Sequence, residues 1–335
     1  MTPPIVLTQG DPAGIGGEIA LKAWAQLAGE IDFFLLGDPD HMTELGRGLG
    51  IPVRPIATPG EAGAVLPDGL PVLPHPLPRP VTPGRPDPAN AAAVIEIIAR
   101  SVELTRTGET LAVCTNPINK KALRDGANFA FPGHTEFLAS LSGAPLPVMM
   151  LAAPALRVVP VTIHIPLADV SRTLTGDLLE QTLRVTWQGL RRDFGIAAPR
   201  IAVAGLNPHA GEGGAMGVEE IELIAPVLDK LRAEGMDLSG PRSADTLFHP
   251  AARANYDAAV CMYHDQALIP LKTLDFDGGV NVTLGLDFVR ASPDHGTAYD
   301  IAGQNRANPS SLVAALRLAR EMGLSRRGLG PARPA

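Results

Sequence analysis

Short runs of Val, Ile, Leu and Ala alternate along the chain with longer stretches whose apolar residues recur at helical spacing. A strand buried on both faces reads as a continuous apolar run, whereas a surface helix keeps a single apolar stripe. The alternation therefore predicts parallel strands covered by helices on both faces. The runs place strands at Ile5 to Thr8, Phe33 to Leu36, Leu111 to Thr115, Val158 to Ile163, Ile201 to Leu206 and Ala258 to Met262, each leading into a loop of polar or glycine residues. From Thr175 to Phe194, Leu179, Leu183, Trp187, Leu190 and Phe194 form one core-facing stripe, with Thr175 as the N-cap and Gly195 as the stop. A second helix is expected from about Val218 to Ala233, with Glu219, Glu220 and Glu222 near its positive end.

Between Pro67 and Pro88 stand nine prolines, which predicts an extended crossing or hinge loop rather than a helix or central strand. No fixed-period repeat appears, and the tail after Arg326 reads as frayed. A chain of 335 residues with 45% hydrophobic residues is long enough for two α/β lobes. A net charge of -7 without any dense basic run argues against a nucleic-acid partner and for a small substrate. No basic leader precedes an apolar stretch, and the most apolar run is broken by Pro154 and Arg157. A cytoplasmic protein, neither exported nor membrane-spanning, is expected. Cys114 and Cys261 lie in apolar runs without CxxC spacing and are read as reduced core thiols. Lysine is scarce, five against 23 arginines, which draws notice to Lys120, Lys121 and Lys272.

Three of the eight histidines share one context: His164, His209 and His264 each sit at or just past the carboxyl end of a predicted strand. In an open α/β sheet those ends line the ligand crevice. Three imidazoles there suit a divalent cation acting as a Lewis acid, although each alone reads more simply as a satisfied loop histidine. Asp245 and Asp265 lie near the same strand ends, and Lys272, Asn281 and Arg290 recur across a turn-rich segment; these last three with His134 and Thr135 would make a cradle for phosphate and carboxylate, although each alone reads more simply as a solvated surface residue. Gly10 to Glu18 follows a strand and opens a helix, an anion-facing turn that lacks the GxGxxG spacing.

The ordered motifs GDPAGIGGE, VTPGRPDPANA, CTNPINK, FPGHTEFLA, VTIHIPL, NPHAGEGG, ADTLF, HDQALIPLK and GGVNVTLGLDFVRASPDHGTA run through nearly the whole chain. Together they resemble the 4-hydroxythreonine-4-phosphate dehydrogenase family of vitamin B6 synthesis. The terminal pieces are similar to the wider isocitrate and isopropylmalate dehydrogenase superfamily. Carried over by position, the resemblance implies that His164, His209 and His264 bind a divalent metal (Zn, Mg or Co) shared between the subunits of a homodimer. It implies that His134, Thr135, Lys272, Asn281 and Arg290 contact the substrate. The looser superfamily likeness puts Gly296, Thr297, Asp300 and Asn308 at the nucleotide, with Asp300 on a ribose hydroxyl favouring NAD over NADP. Gly17 stands where the family often has proline, and Tyr299 where the decarboxylating relatives have proline.

The implied reaction is NAD(P)-dependent oxidation of 4-phosphohydroxy-L-threonine to 2-amino-3-oxo-4-(phosphooxy)butanoate, which loses carbon dioxide to give 3-amino-2-oxopropyl phosphate. Asp245, Asp265 and Lys272 are the candidates for the proton acceptor, which geometry must rank. Imidazole ligands favour zinc or another late transition ion over magnesium. The rival readings are a D-threonate or D-erythronate 4-phosphate dehydrogenase, a metal-dependent hydrolase and a non-catalytic binding protein. The implied architecture is an α/β/α two-lobed isocitrate/isopropylmalate dehydrogenase-like fold with an inter-lobe cleft. One lobe is expected to comprise residues 1–135 and 285–335 with the nucleotide loop, the other residues 136–284 with the metal, substrate and dimer contacts.

Overall fold

In the computed structural model, which describes residues 2–330, the chain divides into two compact units: the segment up to Pro147 with Leu286–Leu324, and Val148–Gly285 with the segment from Ser325. Elements are numbered through the chain. The first unit holds β1 (Ile5–Thr8), β2 (Phe33–Gly37), β3 (Val53–Pro55), β4 (Leu70–Pro74), β5 (Val113–Thr115) and β12 (Arg290–Pro293). Their order is β3-β4-β2-β1-β5-β12, and every pairing is parallel. Its helices are α1 (Gly16–Leu27), α2 (Pro39–Leu49), α3 (Ala62–Val65), α4 (Ala91–Arg106), α5 (Lys120–Ala127), α6 (His134–Ser142) and α12 (Ser310–Arg326). Phe34, Leu36, Val94, Ile98, Val113, Phe137 and Phe288 belong to one buried cluster.

The second unit holds β6 (Val148–Ala153), β7 (Leu156–Thr162), β8 (Arg200–Ala204), β9 (Asp237–Arg242), β10 (Ala258–Tyr263) and β11 (Val280–Leu284) in the order β11-β6-β7-β10-β8-β9. β7, β10, β8 and β9 are parallel, and β6 is antiparallel to both its neighbours. Its helices are α7 (Val170–Thr173), α8 (Gly176–Arg192), α9 (Ala225–Ala233), α10 (Pro250–Arg253) and α11 (His264–Leu274). The side chain of Thr175 caps α8 by accepting from Leu178 N at 3.2 Å, and Leu179, Leu183 and Leu190 are fully buried. Among the described residues, no helix is long and apolar enough to cross a membrane. Cys114 and Cys261 are free and buried, and burial pushes the Cys114 thiol up to about 12.

Two expectations need correction. The proline-rich stretch contains β4, a strand with neighbours on both sides, not only a loop. The backbone donors Leu70 N, to Pro52 O at 2.9 Å, and His75 N, to Gly37 O at 2.8 Å, flank Pro71 and Pro74. Pro71 and Pro74 thus sit between backbone donors that neighbouring residues supply, and Leu70, Val72 and Leu73 bury their side chains. The helix expected over residues 218–233 begins instead as a five-residue π segment, Glu220–Ile224, before α9. Glu220 is 3% exposed and serves the preceding loop rather than a solvated helix end. After α12 the chain continues as a turn, and the last five residues of the tail lie outside the described residues.

Candidate functional site

The second unit sets three histidines at the carboxyl ends of three adjacent parallel strands: His164 after β7, His264 directly after β10 and His209 after β8. The rings of His164 and His264 stand 5.7 Å apart between centroids, tilted by 43°. Both line a cavity of about 320 Å³ with Thr162, Tyr263 and Asp265. Two imidazoles sharing one ion, each nitrogen about 2.1 Å from it, keep their centroids within about 6.5 Å of each other. The pair therefore fits joint ligation. Asp265 Oδ1 lies 2.7 Å from His264 Nδ1, the carboxylate–histidine arrangement that fixes an imidazole and leaves Nε2 for a ligand.

His209 occupies a separate loop. His209, Ala210 and Glu212 have φ of 53°, 52° and 43°, in the left-handed region that L-residues avoid, and His164 has φ of 50°. Strain of this kind concentrates at functional sites. The loop is held from below: Glu220 accepts from Asn207 N at 2.8 Å and Nδ2 at 3.0 Å, while Glu219 accepts from the same Nδ2 at 2.7 Å. Gly211, at φ 78°, passes so close that a Cβ there would stand 2.7 Å from Glu220 Oε2. Neither Asn207 nor Glu220 was named as functional from sequence; a buried acid in a run of surface acids carries no distinguishing pattern. His209 is not among the residues lining the cavity. Among the described residues of this single chain, no three His, Cys, Asp or Glu side chains gather closely enough to hold a metal ion.

The remaining second-unit candidates differ in setting. Asp245 is exposed and accepts from Ser243 Oγ at 2.5 Å. Lys272, on α11, lies over the Phe276 ring at 5.1 Å, and Asn281 is on β11.

In the first unit, Arg290 at the start of β12 is 4% exposed and donates from Nε and Nη2 to Thr115 Oγ1 at 3.2 and 2.8 Å. Burial pushes the guanidinium down to about 10, so it stays charged at neutral pH. His134 and Thr135 open α6. That helix is seated by Phe137, whose ring packs at 5.3 Å from Phe129 and 5.1 Å from Phe131. Burial, then Arg290 and Lys120, hold the His134 imidazole well below its ordinary range, which keeps it neutral, and its Nε2 is sealed from solvent without a protein partner.

The loop after β12 meets the loop after β1. Tyr299 donates its hydroxyl to Asp11 Oδ2 at 2.7 Å, and Ile15 N donates to Thr297 O at 3.1 Å. Burial raises the Asp11 carboxyl, and the hydrogen bond from Tyr299 partly offsets that. Gly10, at φ 75°, admits no side chain, because a Cβ would stand 2.6 Å from Pro117 O. Of the predicted nucleotide residues, Gly296 and Asp300 are exposed, while Asn308 Oδ1 accepts from Ser310 N at 3.0 Å ahead of α12.

The family model described as pyridoxal phosphate biosynthetic protein PdxA matches residues 30–319. A 4-hydroxythreonine-4-phosphate dehydrogenase of Paracoccus denitrificans is 59% identical over 96% of this chain and 98% of its own length. The crystal structure of the like-named enzyme from Klebsiella pneumoniae superposes with a TM-score of 0.86 at 38% identity, covering 96% of this chain and 99% of that one. A terephthalate 1,2-cis-dihydrodiol dehydrogenase from Burkholderia xenovorans is also similar, at 31% identity and a TM-score of 0.66, over 97% of this chain and 98% of its own.

Proposed function

The chain belongs to the PdxA family of 4-hydroxythreonine-4-phosphate dehydrogenases, and on that premise we propose how its residues carry the activity. It is an oxidoreductase of vitamin B6 synthesis that oxidises 4-phosphohydroxy-L-threonine with a nicotinamide cofactor. The observation that carries the site assignment is the facing of His164 and His264 on one cavity, with Asp265 orienting the second ring.

His164, His209 and His264 would hold one divalent cation, which when bound supplies Lewis acidity to the oxygen of the alcohol being oxidised. Their imidazole donors favour zinc or another late transition ion. His209 lies outside the cavity that the other two line, so we assign completion of the ligand set to a homodimer. The distribution of exposed apolar side chains supports this. Leu167 follows His164, Met216, Val218 and Ile221 follow His209, and Ile269, Leu274 and Phe276 follow His264, each 44% exposed or more. Large apolar groups flanking all three histidines suit a protein interface.

The chain's own groups then divide the work. Arg290 and Thr135 hold an anionic end of the substrate, and neutral His134 contributes one ring N–H to it. Lys272 and Asn281 are assigned to the other substrate groups. Asp265 is assigned to orienting His264, which leaves Lys272 and Asp245 to take the hydroxyl proton. The loop from Gly296 through Asp300 to Asn308, tied to Asp11 by Tyr299, borders the nucleotide, and Asp300 on a ribose hydroxyl favours NAD. Decarboxylation of the 3-oxo acid then gives 3-amino-2-oxopropyl phosphate.

The test is formation of reduced nicotinamide from 4-phosphohydroxy-L-threonine, with and without chelator, beside D-threonate and D-erythronate 4-phosphates. Chelator-sensitive turnover that prefers the amino acid supports the assignment. Preference for a sugar acid would transfer the substrate, and turnover indifferent to chelator would remove the metal role from the histidines.

A further inference from the structure

Lys120 has no part in the assignments above. It is the first residue of α5, whose N-cap Asn119 accepts from Ala122 N at 2.9 Å. Its ammonium reaches over Gly133, with Nζ 3.2 Å from the point where a Cβ at that glycine would stand. Gly133 is the N-cap of α6, extended and without a side-chain cap, so the ammonium sits at the positive end of a nine-residue helix. A cation there is unfavourable by itself. The same helix end presents His134, whose Nε2 is sealed and without a protein partner, and Arg290 and Lys120 both act electrostatically on that imidazole. Arg290 is nine-tenths buried and charged. Glu136 brings one carboxylate to the same point, with Oε2 3.0 Å from that Cβ position. At this helix end the Lys120 ammonium thus stands beside a sealed neutral imidazole and the Glu136 carboxylate. Such a cluster is stabilised when a further anion enters it.

We propose that Lys120 is a substrate-binding residue, its ammonium joining Arg290, His134 and the first amides of α6 in holding the phosphate of the substrate. The inference rests on the assignment of His134 and Arg290 to substrate binding. It adds a contact that sequence marked only through the scarcity of lysine. A phosphate oxygen at this helix end meets backbone N–H donors as well as the ammonium, which suits a point charge on a flexible stem.

Lys120→Met, Lys120→Arg and Glu136→Gln are compared for kinetics with 4-phosphohydroxy-L-threonine and with 4-hydroxy-L-threonine, and for inorganic phosphate binding by calorimetry. Loss of one charge-assisted contact predicts a KM for the phosphorylated substrate raised about 10- to 100-fold in Lys120→Met. Phosphate affinity falls in parallel, kcat stays within a few-fold, and KM for NAD is unchanged. Lys120→Arg recovers most of the loss, and Glu136→Gln does not raise KM. Equal losses on both substrates would place Lys120 on the carboxylate and overturn the phosphate assignment. A Glu136→Gln defect matching that of Lys120→Met would reduce Lys120 to an ion-pair partner and also overturn it. Calorimetry reads independently of turnover: a wild-type protein that binds phosphate through Lys120 but reduces no cofactor would sink the dehydrogenase assignment while leaving this one standing.

Discussion

Replacing Glu220 by alanine isolates the link between a strained loop and the proposed metal site. Glu220 is 3% exposed and receives two hydrogen bonds from Asn207, at 2.8 and 3.0 Å. Hydrogen bonds to a charged group contribute about 1.5–3 kcal/mol each. Asn207 Nδ2 keeps its second acceptor, Glu219, so the net cost of the substitution is about 3 kcal/mol. Across from that anchor, His209, Ala210 and Glu212 are held left-handed at roughly 1–2 kcal/mol each. Anchor and strain are of the same order, so removing the first lets the second relax. The variant is expected to unfold at lower urea concentration and to bind zinc or cobalt about 10- to 100-fold more weakly, the scale of supporting-shell losses at metal sites. Denaturant titration reads the first effect, and metal titration against a competing chelator reads the second. A variant destabilised as expected but with unchanged metal affinity would refute the claim that Glu220 acts through His209.

Asp265→Ala should weaken metal binding by about 10- to 100-fold yet restore most turnover at saturating metal, because the carboxylate orients His264. A collapse of kcat that added metal does not relieve would instead make Asp265 the proton acceptor. Tyr299→Phe leaves the buried Asp11 with one donor fewer. The expected cost is roughly 1–2 kcal/mol of stability, with KM for NAD raised several-fold and KM for the phosphorylated substrate unchanged; equal changes in both KM values would detach Tyr299 from the nucleotide loop. His134 is neutral when folded and protonates more readily when unfolded, at about 6.5. The unfolded chain therefore takes up the extra proton, and stability falls as pH drops below about 6.5 towards the lower folded value. His134→Asn should flatten that part of the unfolding-midpoint profile, and an unaltered slope would show that other groups set it.

The periodicity of the chain determined the strands that matter most, because β1, β2, β7, β8 and β10 are buried runs whose burial pattern and residue order coincide. It also determined that a histidine follows each of β7, β8 and β10. Sequence could not reveal that β4 passes through prolines, since only pairing shows which backbone donors the sheet uses. Nor could it separate Glu220 from Glu219 and Glu222: burial, not residue type, makes one of three adjacent acids an anchor. The surroundings of Tyr299 and Lys120 were decided by tertiary structure for the same reason. Each depends on which partner stands within hydrogen-bond or electrostatic reach across a turn or a long gap in the chain, and a local pattern carries no information about that distance.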